Sequence, residues 1–170
     1  MKQWTTINKT GWGEGPWQHE PDKVSWTDEA TGLPCLIVRN HRGALCGYVG
    51  VDETHPWFEV GYYGTDEHPI DVEVHGGLTF AEHCMPGEDE STGICHVPDP
   101  GKSDHVWWFG FDCAQPMDYS PNDPSDSLFD LLTSFADAIG RGVEGAGYRD
   151  LGYVRREVTG LARQLAEAAV

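Results

Sequence analysis

Hydrophobic periodicity divides the chain in two. Over roughly the first two thirds, short apolar or alternating runs are separated by clusters of turn-forming residues, the pattern of strands joined by turns and loops. Lys23-Val24-Ser25-Trp26 reads as a short strand, and Asp28 to Gly32 as a turn. Pro34 to Arg39 is largely apolar and β-branched, which suits a buried strand. Asn40 to Gly43 forms a hairpin loop, and Ala44 to Val51 returns as the next strand. Gly47 and Gly50 inside that strand point to a bulge or a close backbone approach. Asp71 to His75 alternates and predicts a further strand, broken at Gly76-Gly77 because glycine has no side chain to pack. His105 to Cys113 is the most apolar run and is expected to be central.

The last third switches to a helical period. Asp123 and Pro124 fit a helix start, Leu128, Leu131, Leu132, Phe135 and Ile139 share one face, and Gly140 ends the run. A second helix is predicted from about Tyr148 to Ala169, with Leu151, Val154, Val158, Leu161 and Leu165 as its apolar stripe. Strands first and helices last predict one α+β domain over residues 1–170, an antiparallel sheet of about five strands with both helices packed on it. Leu36, Val38, Val49, Val106 and Trp108 are expected in the core. Residues 1–21 read as an irregular aromatic arm, and residues 124–170 as a helical C-terminal part. The loops over residues 52–69 and 81–104 are long enough to suggest function or disorder.

Composition changes this picture in three ways. Large aliphatics are sparse, so seven Trp, six Tyr and six Phe must supply much of the buried area. The formal charge of −17, from 28 acids and 11 bases, disfavours direct nucleic-acid binding. It fits either solubility or an acidic face that mimics DNA toward a host protein. No apolar run is long enough for a membrane span, and the N-terminus lacks an apolar signal core. Together with an odd count of five Cys, this predicts a cytoplasmic chain with reduced thiols and no disulfide framework.

Two strand ends carry candidate chemistry: His75-Gly76-Gly77, and Asp112 to Asp118. An imidazole oriented by a carboxylate can act as an acid or base, so His75 is paired with Asp112 or Asp118 as the candidate acid–base set. Gly76 and Gly77 would open the backbone to a small polar ligand, with His55, Trp57 and Arg39 as further ligand-binding candidates. The competing reading is a structural histidine beside capped turns. His83-Cys84 and Cys95-His96 contain zinc-type donors. Cys84, Cys95, His96 and Cys113, with His75, form the candidate zinc set, against a reading as thiols packed like small apolar groups. Cysteine nucleophilic catalysis is disfavoured, because the apolar and acidic surroundings of Cys113 oppose a thiolate.

The segments GPW, EPDKVSW, TGLPCLIVR, ALCGYVGV, VHGGLTF, ICHVPDPG, VWWFGFDCA and YRDLGYV resemble a family of small proteins encoded in bacteriophage and prophage genomes. Family relatives often carry histidine where this chain has Gln115, so a catalytic role does not transfer to that position. The resemblance implies a phage setting in the host bacterial cytoplasm and no particular reaction. Two functions follow as expectations: an accessory protein that counteracts host defence through a binding or hydrolytic pocket for a small, nucleotide-like ligand, or an acidic inhibitor of a host protein.

Overall fold

The computed structural model describes residues 1–123 and 147–169, together with Leu131 and Ser134. Among the described residues there are eight strands: β1 (Lys2–Trp4), β2 (Lys23–Thr27), β3 (Pro34–Arg39), β4 (Leu45–Val51), β5 (Phe80–His83), β6 (Met85–Pro86), β7 (Gly93–Ile94) and β8 (Trp107–Asp112). One long helix, α1 (Leu151–Ala168), follows them. Six strands form an antiparallel sheet in the order β1-β2-β3-β4-β8-β5, and β6 pairs with β7 as a separate ribbon. The α+β architecture matches the pattern of the chain, with two more short edge strands than β2, β3, β4 and β8 alone. Of the predicted first helix, all but Leu131 and Ser134 lies outside the described residues, and Leu131 is exposed. No described helix is long and apolar enough to cross a membrane.

The sheet buries both faces. On one side, Ile37, Val49, Phe109 and Phe111 pack against Val154, Val158, Leu161 and Leu165 of α1. On the other, Leu36, Tyr48, Val106 and Trp108 form a smaller cluster joined by Phe80, Cys84 and Ile94. Trp107 and Trp108 take opposite faces, as neighbours in a strand must, and both are buried. Val38 is only half-buried and edges the second cluster, whereas Leu36, Val49, Val106 and Trp108 are core as expected. Gly47 marks a close approach and no bulge: a Cβ there would lie 2.5 Å from both Phe111 and Val158, while the pairing of β4 with β8 runs unbroken.

The segment read as a strand over 71–75 is extended but pairs with no strand. Ile70, Val72 and Val74 face the core as the alternation requires. Its backbone groups bond to side chains of α1 instead. Gln164 accepts from Glu73 N–H at 2.7 Å and donates to Glu73 C=O at 2.9 Å, and Glu157 accepts from His75 N–H at 2.8 Å. The long loop after β5 is held to the sheet by a disulfide between Cys84 and Cys95, with Cα atoms 4.9 Å apart. Buried Lys23 also donates to the carbonyls of Thr92 and Cys95 at 3.0 and 2.9 Å. The expectation of five reduced thiols is therefore corrected: Cys35, Cys46 and Cys113 are free and buried, and two are paired.

Arg39 is the polar centre of the fold. All five of its N–H donors are used. Nε bonds Asp22 at 3.0 Å, Nη1 bonds Gly43 C=O at 2.8 Å and the Tyr148 hydroxyl at 2.7 Å, and Nη2 bonds Glu20 at 3.1 Å and Pro21 C=O at 3.3 Å. Asp22 also accepts from Lys9 at 2.6 Å and from the amides of Thr6 and Ile7. Burial alone pushes the Asp22 carboxyl up, but Lys9 and these amides outweigh it and hold it below the ordinary 3.8. The native state then gives up this proton more readily than the unfolded chain. Its stabilisation is complete above the unfolded value and is lost as pH falls through the native one. Asp22→Asn is expected to cost about 3 kcal/mol at neutral pH, because it leaves buried cations underpaired. In urea denaturation, the gap from wild type should close as pH falls below 3.8. A gap independent of pH would contradict the assignment.

Candidate functional site

Helix α1 begins with two anions that satisfy its first amides. Asp150 is the N-cap and accepts from Tyr153 N–H at 2.7 Å. Glu20 reaches across from the N-terminal arm and accepts from Leu151 N–H at 2.8 Å. With the aliphatic stripe on the sheet, the 3.6-residue period directs Arg155, Arg156, Thr159 and Arg163 outward, and all four are exposed. Arg155 lies over the Trp26 ring at 5.6 Å, and Arg156 lies 5.9 Å from the Tyr153 ring centroid. Among the described residues, these three arginines make no ion pair or hydrogen bond.

Two cavities open beside them. One of about 690 Å³ lies between the β2–β3 turn, the end of β4, the loop before β8 and α1, and its lining includes Trp26, His96, Lys102, Arg155 and Thr159. The other, of about 520 Å³, shares Asp28, Ala30, Arg155 and Thr159 with it and continues along α1 past Arg156, Gly160 and Arg163. Three of the four acids at the rim, all but exposed Glu29, accept hydrogen bonds from the protein. Asp28 accepts from the Thr31 amide and hydroxyl, Asp52 from those of Thr54, and Asp99 from the Thr27 hydroxyl. Burial lowers the pKa of His96 against the opposing pull of Asp99 and Asp104, favouring neutral imidazole. The arginines of the groove are thus open to a ligand, while Asp28, Asp52 and Asp99 are hydrogen-bonded within the protein and Glu29 stands exposed at the rim.

His75 forms a second constellation on the opposite flank of α1. Its Nε2 lies 2.6 Å from Asp118 Oδ2, and its Nδ1 lies 2.9 Å from the Tyr153 hydroxyl. Asp118 also accepts from Arg149 Nε at 2.9 Å and from Gln115 N–H at 3.0 Å. In a neutral imidazole this geometry fits Nε2–H donating to Asp118 and Nδ1 accepting from Tyr153 O–H. Burial, reinforced by Glu157 and opposed by Arg149, raises the Tyr153 pKa, so its hydroxyl keeps that proton. The ring is nearly enclosed, its side chain 12% exposed. The chain Arg149–Asp118–His75–Tyr153 satisfies every polar atom of the imidazole, and His75 lines neither cavity.

The pairing of His75 with Asp118 is as the sequence suggests; the pairing with Asp112 is not. Asp112 accepts from the Thr79 hydroxyl, Ala114 N–H and the Gln115 amide, and so ties down the turn after β8. Gly76 has φ +68°, and a Cβ there would lie 2.6 Å from Gln115, so that side chain covers the backbone instead of a ligand. Gly77, at φ +82°, has open space where its Cβ would be. Arg39 is spent on the buried network and cannot neutralise a ligand. His55 is buried; its Nε2–H donates to Leu165 C=O at 2.8 Å in the last turn of α1, and its Nδ1 accepts from Trp57 N–H at 3.1 Å. Trp57 packs on Phe109 at 6.5 Å. Both serve the helix C-terminus and the core.

The proposed cysteine zinc set is not assembled. Cys84 and Cys95 are bonded to each other, His96 packs edge-on to Trp108 at 5.2 Å, and Cys113 lies on the far face of the sheet beneath α1. Burial, with Asp118, Cys46 and Asp112 adding to it, pushes the Cys113 thiol well above its ordinary range, which also disqualifies it as a nucleophile. The arginine row has a signal in the sequence that the apolar stripe of α1 does not carry: Arg155, Arg156, Thr159 and Arg163 occupy the polar positions of the same 3.6-residue period.

Asp118 and Asp112 therefore differ in what their loss exposes. Asp118→Ala removes the carboxylate at His75 Nε2 in an enclosed site and should cost about 3 kcal/mol. Asp112→Ala removes a turn cap and should cost about 1 kcal/mol. Urea denaturation of both variants checks this, and equal costs would contradict the assignment.

No family model matches the chain, and neither the curated proteins nor the solved structures contain a match.

Proposed function

We propose that the protein binds a small anionic, nucleotide-like ligand in the groove along the outer flank of α1, as an accessory protein in the phage setting that its sequence resemblance implies. The observation that carries this reading is the arginine row. In a chain with 28 acids and 11 bases, three neighbouring arginines would be expected to find carboxylate partners. Arg155, Arg156 and Arg163 find none among the described residues and line connected cavities. Guanidinium groups grip phosphate or carboxylate oxygens in pairs, and they do so most strongly where other anions do not compete. Each cavity singly, about 690 and 520 Å³, is in the size range of small-molecule sites. Trp26 supplies an aromatic surface, and His96 a neutral polar ring, for a base or similar planar group.

Binding is favoured over hydrolysis. His75, the best-oriented imidazole, lies outside the groove and already has a partner at each nitrogen. A nucleotide held by Arg155 and Arg163 would therefore be sequestered or sensed.

The acidic-inhibitor reading retains one supporting observation. Residues 43–101 contain 12 Asp and Glu and no Lys or Arg. These acids crowd the loops bordering β5, while exposed arginines concentrate on α1.

Calorimetric titration with ribonucleoside mono- and diphosphates, using the parent nucleosides as controls, separates the two readings. The groove predicts that phosphate-bearing ligands bind and nucleosides do not. The double variant Arg155→Ala, Arg163→Ala should weaken binding at least tenfold, since each charge-assisted hydrogen bond contributes about 1.5–3 kcal/mol. His75→Ala should bind like wild type. Absence of binding by every phosphate, or binding indifferent to the two arginines, would reject the groove and leave the acidic surface as the functional reading.

A further inference from the structure

We infer that Glu59, His83 and His105 form a binding site for a divalent first-row transition cation, zinc foremost, at the edge of the sheet. One ligand atom from each lies within 4.8 Å of the others. His83 Nε2 is 3.1 Å from Glu59 Oε1, and Glu53 Oε2 approaches His105 Nδ1 at 3.8 Å as a possible fourth donor. Two imidazoles with one or two carboxylates are the donor set of borderline-soft cations and not of magnesium or calcium, which take oxygen donors.

The fold brings these residues together by register. His83 pairs with Trp107 across β5 and β8. His105 precedes Trp107 by two residues, so all three side chains leave the same face of the sheet. The His83 and His105 rings stack with centroids 5.4 Å apart and planes within 12°. Phe58 closes over both rings at 6.0 and 5.2 Å, and Trp107 meets the His83 ring edge-on at 4.8 Å.

Glu59 is delivered by a loop anchored on both sides. Trp107 Nε1–H donates to Val60 C=O at 3.1 Å, and Phe58 N–H donates to His55 C=O at 3.0 Å. Between these anchors Glu59 has φ +59°, which turns its side chain toward the histidines at a conformational cost for a non-glycine residue. Neither flanking carboxylate nor imidazole is used by the core or by the groove on α1. Donors around one zinc stand roughly 3.3 Å apart, given bonds of about 2.0–2.2 Å, so modest rotation of these partly exposed side chains closes the set. Three protein donors leave a position for water or a small ligand. The cation would also clamp the loop over residues 52–69 to the β5–β8 edge. This site is separate from the cysteines considered in the sequence.

The test is calorimetric titration of the tag-free, chelator-treated full chain with zinc chloride, together with absorption spectroscopy of its cobalt(II) form. The expected result is one equivalent bound, with a cobalt spectrum lacking a thiolate charge-transfer band. His83→Ala with His105→Ala should reduce affinity at least as much as the roughly 10- to 100-fold that losing an outer-shell partner costs. Glu59→Gln, a nearly isosteric change of an exposed side chain, should weaken binding without altering the melting temperature of the metal-free chain. Lack of zinc binding by the wild type, a thiolate band, or binding that survives the double histidine substitution would overturn the assignment.

Discussion

The buried guanidinium of Arg39 ties β3, the N-terminal arm and the residue leading into α1 into one network. Desolvating a guanidinium is costly unless every donor is used and the charge is paired. Here β3 supplies the cation, the N-terminal arm supplies Glu20 and Asp22, and Tyr148 arrives from just before α1. Tyr148 accepts from Arg39 and donates to Glu20 at 2.5 Å, so one carboxylate serves the arginine, the tyrosine and the first amide of the helix. The irregular, aromatic arm is thereby part of the core scaffold. Trp17 reinforces it by packing against Tyr148 and Tyr119 at 5.0 and 5.4 Å.

With its N-terminus fixed by Glu20 and the Leu165 carbonyl of its last turn met by His55, α1 has little freedom to rotate or slide. That constraint distributes function around it. One side fills the sheet, whose Gly47 admits Val158 to close contact. One flank uses Tyr153, Glu157 and Gln164 to hold the extended segment that ends at His75. The other flank presents Arg155, Thr159 and Arg163 to the β2–β3 turn. The His75 relay and the arginine groove are therefore consequences of one helix orientation, with Arg156 lying over Tyr153 between them.

Strands β2, β3, β4 and β8 and helix α1 were legible because each buries a long apolar face, and burial imposes period. Edge strands β1 and β5 were not, since KQW and FAEH are short and incompletely buried. The alternation over 70–74 was read correctly for which side chains turn inward and wrongly for what pairs with the backbone; side-chain partners leave no mark in a strand's own period. Arg39 looked available because it ends an apolar run, and only the distant Glu20, Asp22 and Tyr148 show it to be committed. The approach of His75 to Asp118 was within reach of sequence reasoning, while the choice between Asp118 and Asp112 depended on the turn after β8. The disulfide and the Glu59–His83–His105 cluster depend on loop placement and register, which composition does not encode.

The central claim is that Arg155, Arg156 and Arg163 make no ion pair among the described residues because they serve an external anion. Heteronuclear NMR of the arginine Nε–H groups during titration with inorganic pyrophosphate addresses it most directly. The account predicts saturable shifts at Arg155, Arg156 and Arg163, with Arg39 unchanged because all its donors are occupied. Shifts confined to other basic groups, or a non-saturable drift shared by every exposed cation, would contradict it.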